Sequence, residues 1–296
     1  MVKQVKKQVM KQQDGGCADA IDRRAFLTML SGSLIATAVG ARAYGMTPAR
    51  RLDRIGVQLY TIRDALTADL DGSLARVAAI GYREVELAGY RSHTVAEFKA
   101  ALDRHGLAAP STHIAMERVR DELPQVLDEA HQLGHKFVVC PNIAYEKAGL
   151  DGYRQAADVL NHAGEVAGRS GISIGYHNHE SELAPIGGVR PYDVMLERTD
   201  PRLVTMEMDI FWLVKGGGDP LAYFRKYPGR FRMVHVKDMD GSPAKTMVDV
   251  GKGVIDWKKL FEADPGIEHY FVEHDDARDP FASIADSYAY LRGLEF

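Results

Sequence analysis

From residue 52 onward, short apolar runs alternate with longer amphipathic stretches. That alternation marks strand–helix units feeding a parallel sheet. The apolar runs predict strands over 55–61, 84–88, 109–114, 137–141, 173–176, 203–209, 232–237 and 269–273. Between them the apolar positions recur at helical spacing, over 74–80, 95–102, 123–133, 156–167, 191–197, 220–227, 257–261 and 281–291. Gly81, Gly106, Gly134 and Gly168 stand where the first four helices must stop. Eight strands and eight helices in roughly 240 residues fit a single (β/α)8 TIM barrel of the α/β class. A doubly wound open sheet is the competing architecture, but no Gly-x-Gly-x-x-Gly follows the first strand.

The fifth strand breaks its own pattern. It begins β-branched at Ile172 and then turns polar through Tyr176-His177-Asn178-His179-Glu180. Alternate side chains of a strand share a face, so His177 and His179 point the same way. Two imidazoles on one face at the C-terminal end of a buried strand point to a metal site. The next three strands add to it. The sixth ends in Asp209, the seventh carries His235 and Lys237 on one face, and the eighth ends in Glu273. Barrel active sites lie at these strand ends. Mixed nitrogen and oxygen donors there suit one divalent ion such as Mn²⁺, Zn²⁺, Co²⁺ or Mg²⁺. Taken singly, Asp209 can be a helix cap, His235 a core histidine, and Glu273 a partner of Lys237. Together, on consecutive strands, they are hard to read as caps.

The segment before residue 52 reads differently. A lysine-rich start leads to Asp22-Arg23-Arg24-Ala25-Phe26-Leu27, a weakly apolar run, and Ala41-Arg42-Ala43. The run is too short to cross a roughly 30 Å hydrocarbon core as a helix. The twin arginine with x-Phe-Leu resembles a Tat export signal, and small-x-small resembles its cleavage site. The expected organisation is a signal at 1–43, a short linker at 44–51 and one barrel domain at 52–296, working in the periplasm without stable membrane insertion after cleavage. Net charge is −4, so nothing in the balance points to nucleic acid. Of the two cysteines, Cys17 falls in the signal and Cys140 reads as a small buried hydrophobe.

The mature chain resembles the xylose isomerase-like barrel superfamily of sugar phosphate isomerases and epimerases. The stretches that carry the likeness are Gly56-Val-Gln-Leu-Tyr-Thr61, Gly175-Tyr-His-Asn-His179, Glu207-Met-Asp-Ile-Phe-Trp212, Phe231-Arg-Met-Val-His-Val-Lys-Asp238, Val250-Gly-Lys-Gly-Val-Ile-Asp-Trp257 and His269-Tyr-Phe-Val-Glu273. The resemblance implies a metal held by Asp209, His235 and Glu273, with a fourth ligand on the fifth strand. Many relatives have Glu-Asn-His there, whereas this chain has His177-Asn178-His179. His177 takes the glutamate's place as the expected ligand, with His179 and Glu207 as alternatives. The same resemblance implies Glu273, His177, His179 and Lys237 as proton-moving or charge-stabilising residues. It also makes Glu182 a substrate contact, with a solvated loop carboxylate as the other reading.

Gln58 and Tyr60, read as alternating on the first strand, join Glu86, His113 and Asn142 as expected donors and acceptors for a polyol. Trp212 is expected to stack on a sugar face, with Phe211 as rim packing. Glu207, two residues before Asp209, is expected one layer deeper, as a partner of Lys237 or as a ligand. The chemistry implied is proton abstraction beside the carbonyl of an unphosphorylated small-molecule carbohydrate, as in an isomerase or epimerase. A 3-keto-glycoside lyase shares that first step. A non-catalytic sugar-binding barrel and an endonuclease-four-type hydrolase are the readings from other classes, and self-association into a homo-oligomer is left open.

Overall fold

The computed structural model describes residues 50–143 and 146–296. The expected signal at 1–43 and Cys17 lie outside the described residues. Eight parallel strands close into a barrel. In chain order they are Gly56–Gln58, Glu84–Leu87, Ala108–His113, Phe137–Cys140, Ser173–His177, Val204–Asp209, Phe231–Val236 and His269–Val272. The first strand pairs with both the second and the eighth, which seals the ring. Arg50 and Phe296 exchange backbone hydrogen bonds of 2.6 and 2.9 Å, tying the two ends of the domain together.

Helices cover the outside, and the sequence sets their limits. Thr94 and Glu97 form a reciprocal capping box that starts helix Val95–His105. Asp69 and Asp279 cap Leu70–Ile80 and Pro280–Gly293 by accepting from backbone N–H groups. Gly106 and Gly134 close helices with φ of 64° and 78°, left-handed values that a Cβ disfavours.

Inside the barrel, alternate residues fall in layers. Phe137, Val139, Met233 and Phe271 form a separate inner apolar cluster. Gly56 belongs there for lack of a side chain, since a Cβ would lie 2.5 Å from the Phe271 ring. Above this apolar floor, the same alternating faces carry Glu86, Glu207, His235 and Glu273, all buried. Cys140 faces outward into the helix layer, and burial pushes its thiol up to about 12.

Three expected elements differ. The first strand stops at Gln58, because the Gln58 side chain accepts from Tyr60 N at 3.0 Å and curls the chain into the 3₁₀ turn Leu59–Ile62. Tyr60 therefore does not alternate with Gln58 on a strand. The helix expected over 156–167 extends over Leu150–Gly168. A two-residue ladder, Asp238–Met239 with Met247–Val248, interrupts the seventh strand–helix connection. Among the described residues, no helix is long and apolar enough to cross a membrane.

Candidate active site and metal-ligand cluster

Strand register brings the polar residues to common levels. Gln58, Glu86 and Ser111 stand side by side on the first three strands. His177 is level with Glu207, and Asp209 with His235. A cleft of about 710 Å³ opens above them, walled by Tyr60, Tyr90, Arg91, His113, Asn142, His177, His179, Lys237, Glu273 and Asp275. A cavity of about 750 Å³ at the opposite end of the barrel, lined by Arg50–Arg54 and 267–270, holds none of these groups. The strand-end cleft is the candidate site, since barrel active sites lie at the strand ends.

The site has two storeys. At the rim, the Lys237 ammonium lies 2.6 Å from Glu273, 2.9 Å from Asp275 and 3.0 Å from Asp209. Its contact with Asp209 Oδ2 is an ion pair without hydrogen-bond geometry. Asp209 Oδ1 accepts from Trp212 N at 2.9 Å, capping helix Ile210–Lys215. Below the rim, Glu207 Oε2 faces three imidazoles: His113 Nε2 at 2.7 Å, His177 Nδ1 at 3.0 Å and His235 Nε2 at 3.2 Å. Glu86 bonds His235 Nε2 at 2.7 Å and is itself held by Gln58 and Ser111. The two storeys meet at His235, whose Nδ1 lies 2.7 Å from Glu273 Oε2.

These contacts set the charges. Burial opposes protonation of His235, but Glu207 and Glu273 outweigh it and hold its pKa well above the ordinary value. Burial likewise opposes charge on Lys237, yet Asp209, Glu273 and Asp275 keep it strongly basic. Glu273 is driven well below the carboxylate range by Lys237 and His235 despite its burial. His177 goes the other way, lowered by burial and by the charge of His235. Burial also lowers His179. Asp275 is raised to about 6, by burial and then by the charge on Glu273.

The donor sets fit a divalent ion. The ligand atoms of His113, His177, Glu207 and His235 all lie within 4.8 Å of one another, and so do those of Asp209, His235 and Glu273. Glu207 Oε1 is buried with no hydrogen-bond partner among the described residues, an arrangement that is costly unless a cation or water satisfies it.

The sequence model of the xylose isomerase-like TIM barrel family matches residues 74–287. The chain belongs to that family. It is 32% identical over 157 residues to the inosose dehydratase of Geobacillus thermodenitrificans, 46% of this chain and 52% of that one. It is 24% identical over 200 residues to an inosose dehydratase of Bacillus anthracis, 60% of this chain and 65% of that one. The chain thus spans between half and two thirds of the length of these curated relatives. Among solved structures, a sugar phosphate isomerase/epimerase of Parabacteroides distasonis superposes with a TM-score of 0.71 at 27% identity, covering 81% of this chain and 93% of that one. The IOLI protein, described with a bound zinc atom, shares the fold at 15% identity and a TM-score of 0.65, covering 82% of this chain and 99% of that one.

On this family barrel, His113, His177, His179, Asp209, His235, Lys237 and Glu273 converge as their strand-end positions imply. Tyr60 and Asn142 line the cleft. Trp212 stands beside it, its ring 6.1 Å from that of His179 and 5.9 Å from Lys237 Nζ. Phe211 is buried packing. Other expected residues are used elsewhere. Gln58 is buried below the cleft and spends its amide on Glu86. Glu182 is neither solvated nor in the cleft wall. It is buried, accepting from Tyr176 OH at 2.6 Å, His179 N at 3.1 Å and Ser181 Oγ at 2.8 Å. Glu207 does not pair with Lys237, because it stands a storey lower among the imidazoles. Asp275 lies beyond the eighth strand, which ends at Val272, so strand alternation does not mark it in the sequence.

Proposed function

We propose that this chain is a metal-dependent enzyme that takes a proton from the carbon beside a carbonyl of an unphosphorylated keto-sugar or keto-cyclitol and then expels a β-substituent. The observation that carries the reading is the Lys237–Glu273–Asp275 cluster facing His177 and His179 across one cleft. Relatives named as dehydratases support elimination, which starts with the proton abstraction that isomerisation also uses and then expels water beta to the carbonyl.

His179, kept neutral by burial, is the base that accepts the carbon proton. Lys237 stays cationic and faces the oxygen that gains negative charge. Asp275, poised near neutrality, returns a proton to the leaving oxygen as the C–O bond breaks. Asn142 and Tyr60 orient hydroxyls, and Trp212 covers an apolar sugar face. Asp209, His235 and Glu273, with His177, are the residues the family pattern offers to a divalent ion, which would supply Lewis-acid stabilisation of the developing charge. Epimerisation is the second reading, favoured by the presence of His179 and Glu273 on different strands of the same cleft.

The Tat-type segment supports a periplasmic location, where unphosphorylated sugars predominate. The test is product analysis with a panel of inososes, ketoses and 3-keto-glucosides, with and without chelator. An unsaturated ketone or released aglycone, lost on chelation and regained with Mn²⁺, supports elimination. A configurational isomer instead supports epimerisation. Binding without turnover across the panel would leave a sugar-binding barrel.

A further inference from the structure

Resting on the carbohydrate reading of the cleft, we infer that Arg91 binds a carboxylate of the substrate, so that the preferred substrate is a sugar acid of the uronic type. Histidines aside, the charged side chains of the cleft wall are Arg91, Arg118, Lys237, Glu273, Asp275 and Asp276. All but one have an opposite charge at hand. Lys237 lies 2.6 Å from Glu273 and 2.9 Å from Asp275. Arg118 lies 3.0 Å from Glu129, and Asp276 lies 3.8 Å from Arg63. Arg91 has neither an ion pair nor a hydrogen bond among the described residues. Its guanidinium stands 5.5 Å from the centre of the exposed Tyr60 ring, a weak contact that does not replace a counter-ion. A ligand filling the cleft removes water from this guanidinium. A neutral ligand gives nothing in return, whereas a carboxylate supplies charge and acceptors together.

The backbone points the same way. Arg91 and Lys245 are the non-glycine residues with positive φ among the described residues, at 52° and 50°. Side-chain-bearing residues adopt that region at a cost and persist there where the surroundings hold them. Lys245 has an internal use for its position, since Nζ donates to Val214 O at 3.2 Å and Lys215 O at 3.1 Å. Arg91 has no such partner and forms the cleft wall instead. The turn that carries it is fixed. His93 N donates to Tyr90 O at 2.9 Å, and His93 Nε2 lies 2.8 Å from Leu66 O. A cation presented on a fixed turn binds its counter-ion with less ordering cost than one on a loose loop.

Placement in the ring suits a uronic acid. Tyr60 and Arg91 follow the first and second strands, whereas His179 and Trp212 follow the fifth and sixth, across the barrel. In a pyranuronate the carboxylate on C5 lies across the sugar ring from C2. An acid group held by Arg91 therefore leaves C2, the carbon beside a 3-keto group, on the His179 side. The planar guanidinium matches a carboxylate with two parallel N–H···O bonds.

The experiment is calorimetry on the metal-loaded full chain with three ligands that do not react: methyl β-D-glucuronide, methyl β-D-glucoside and the glucoside 6-phosphate. The glucuronide is expected to bind at least about tenfold more tightly than the glucoside. That ratio is expected to fall to about threefold or less in R91Q, and equally in R91G, which suits the left-handed turn. R91K keeps the charge without the fork and is expected to retain only part of the ratio. Equal binding of glucuronide and glucoside, or a preference that survives R91Q and R91G, would overturn the inference and leave the carbohydrate reading standing. Tighter binding of the phosphate ester than of the glucuronide would overturn the carboxylate assignment. Binding of none of the three would overturn the inference and the carbohydrate reading together. A glucuronide preference lost in R91Q, with no deuterium exchange on 3-keto-glucuronides, would support Arg91 and count against the proposed reaction alone.

Discussion

Asn178 and Asp209 are joined by two reciprocal hydrogen bonds. Asn178 Nδ2 donates to Asp209 O at 3.2 Å, and Asp209 N donates to Asn178 Oδ1 at 3.1 Å. The side-chain amide thus continues the pairing of the fifth and sixth strands beyond His177 and Glu207, the last residues in register. It fixes the height of Asp209 beside His177. In N178A both backbone groups lose buried partners, an expected cost of about 1–3 kcal/mol. N178D keeps an acceptor but loses the donor and adds charge beside Asp209, so it is expected to be no better than alanine. Urea denaturation of the two variants against wild type checks this, and a change below about 0.5 kcal/mol would contradict it.

Glu182 does comparable work for the turn after the fifth strand. With three donors converging on one buried carboxylate, E182A is expected to cost about 3 kcal/mol, since charged hydrogen bonds are the stronger kind. E182Q offers one acceptor oxygen where two are used and is expected to fall between wild type and alanine. Thermal melts of the three proteins test the order.

Much of this architecture is legible in the sequence. All eight strands and the helices after them follow from apolar periodicity and from caps such as Thr94 and Asp279. The convergence of Asp209, His235 and Glu273 follows from strand ends alone. What is not legible depends on depth. Gln58 and Glu86 look like substrate contacts from their strand positions, but the tilt of the barrel strands sinks them below the cleft, where they satisfy each other. Glu207 looks like a partner for Lys237, yet alternation along the strand cannot say which storey each reaches. The end of the first strand at Gln58 depends on a side-chain hydrogen bond to Tyr60 N, which no periodicity reveals. The short helix Met116–Asp121 is too brief to register as a pattern.

His135 predicts a pH dependence of stability away from the site. It is buried, with Nδ1 donating to Ala109 O at 2.5 Å and Nε2 without a partner among the described residues. Burial lowers its pKa from 6.5 to about 4. Above pH 6.5 the ring is neutral in both folded and unfolded chains and pH has no effect through it. As pH falls from 6.5 toward 4, the unfolded chain takes up a proton that the folded chain refuses, and stability is lost. The loss between pH 7 and 5 is at most about 2 kcal/mol. In H135F that component disappears, so the drop in unfolding free energy from pH 7 to 5 is expected to shrink relative to wild type, whatever the variant's stability at pH 7. Equal drops in both proteins would contradict the assignment.

Gly164 shows packing overriding helix propensity. Alanine in a helix is ordinarily favoured over glycine by about 1 kcal/mol. Here the added Cβ would stand 2.5 Å from Leu203 O, a backbone atom at the start of the sixth strand, and 2.9 Å from Leu203 Cβ. Backbone yields less than a flexible side chain, so overpacking of about 1–3 kcal/mol outweighs the gain. G164A is therefore expected to lower the melting temperature, whereas a rise would show that helix and strand separate easily.

Enolisation beside a carbonyl is the claim on which the functional account stands, and solvent deuterium exchange tests it most directly. The metal-loaded protein is incubated in D₂O with inososes, ketoses and 3-keto-glucosides, and loss of the carbon-bound proton is followed by NMR. The account predicts exchange with at least one of these compounds that disappears on chelation, and that falls by about 100-fold or more when His179 is replaced by Gln. Stoichiometric metal and bound sugar with no exchange on any compound would contradict it.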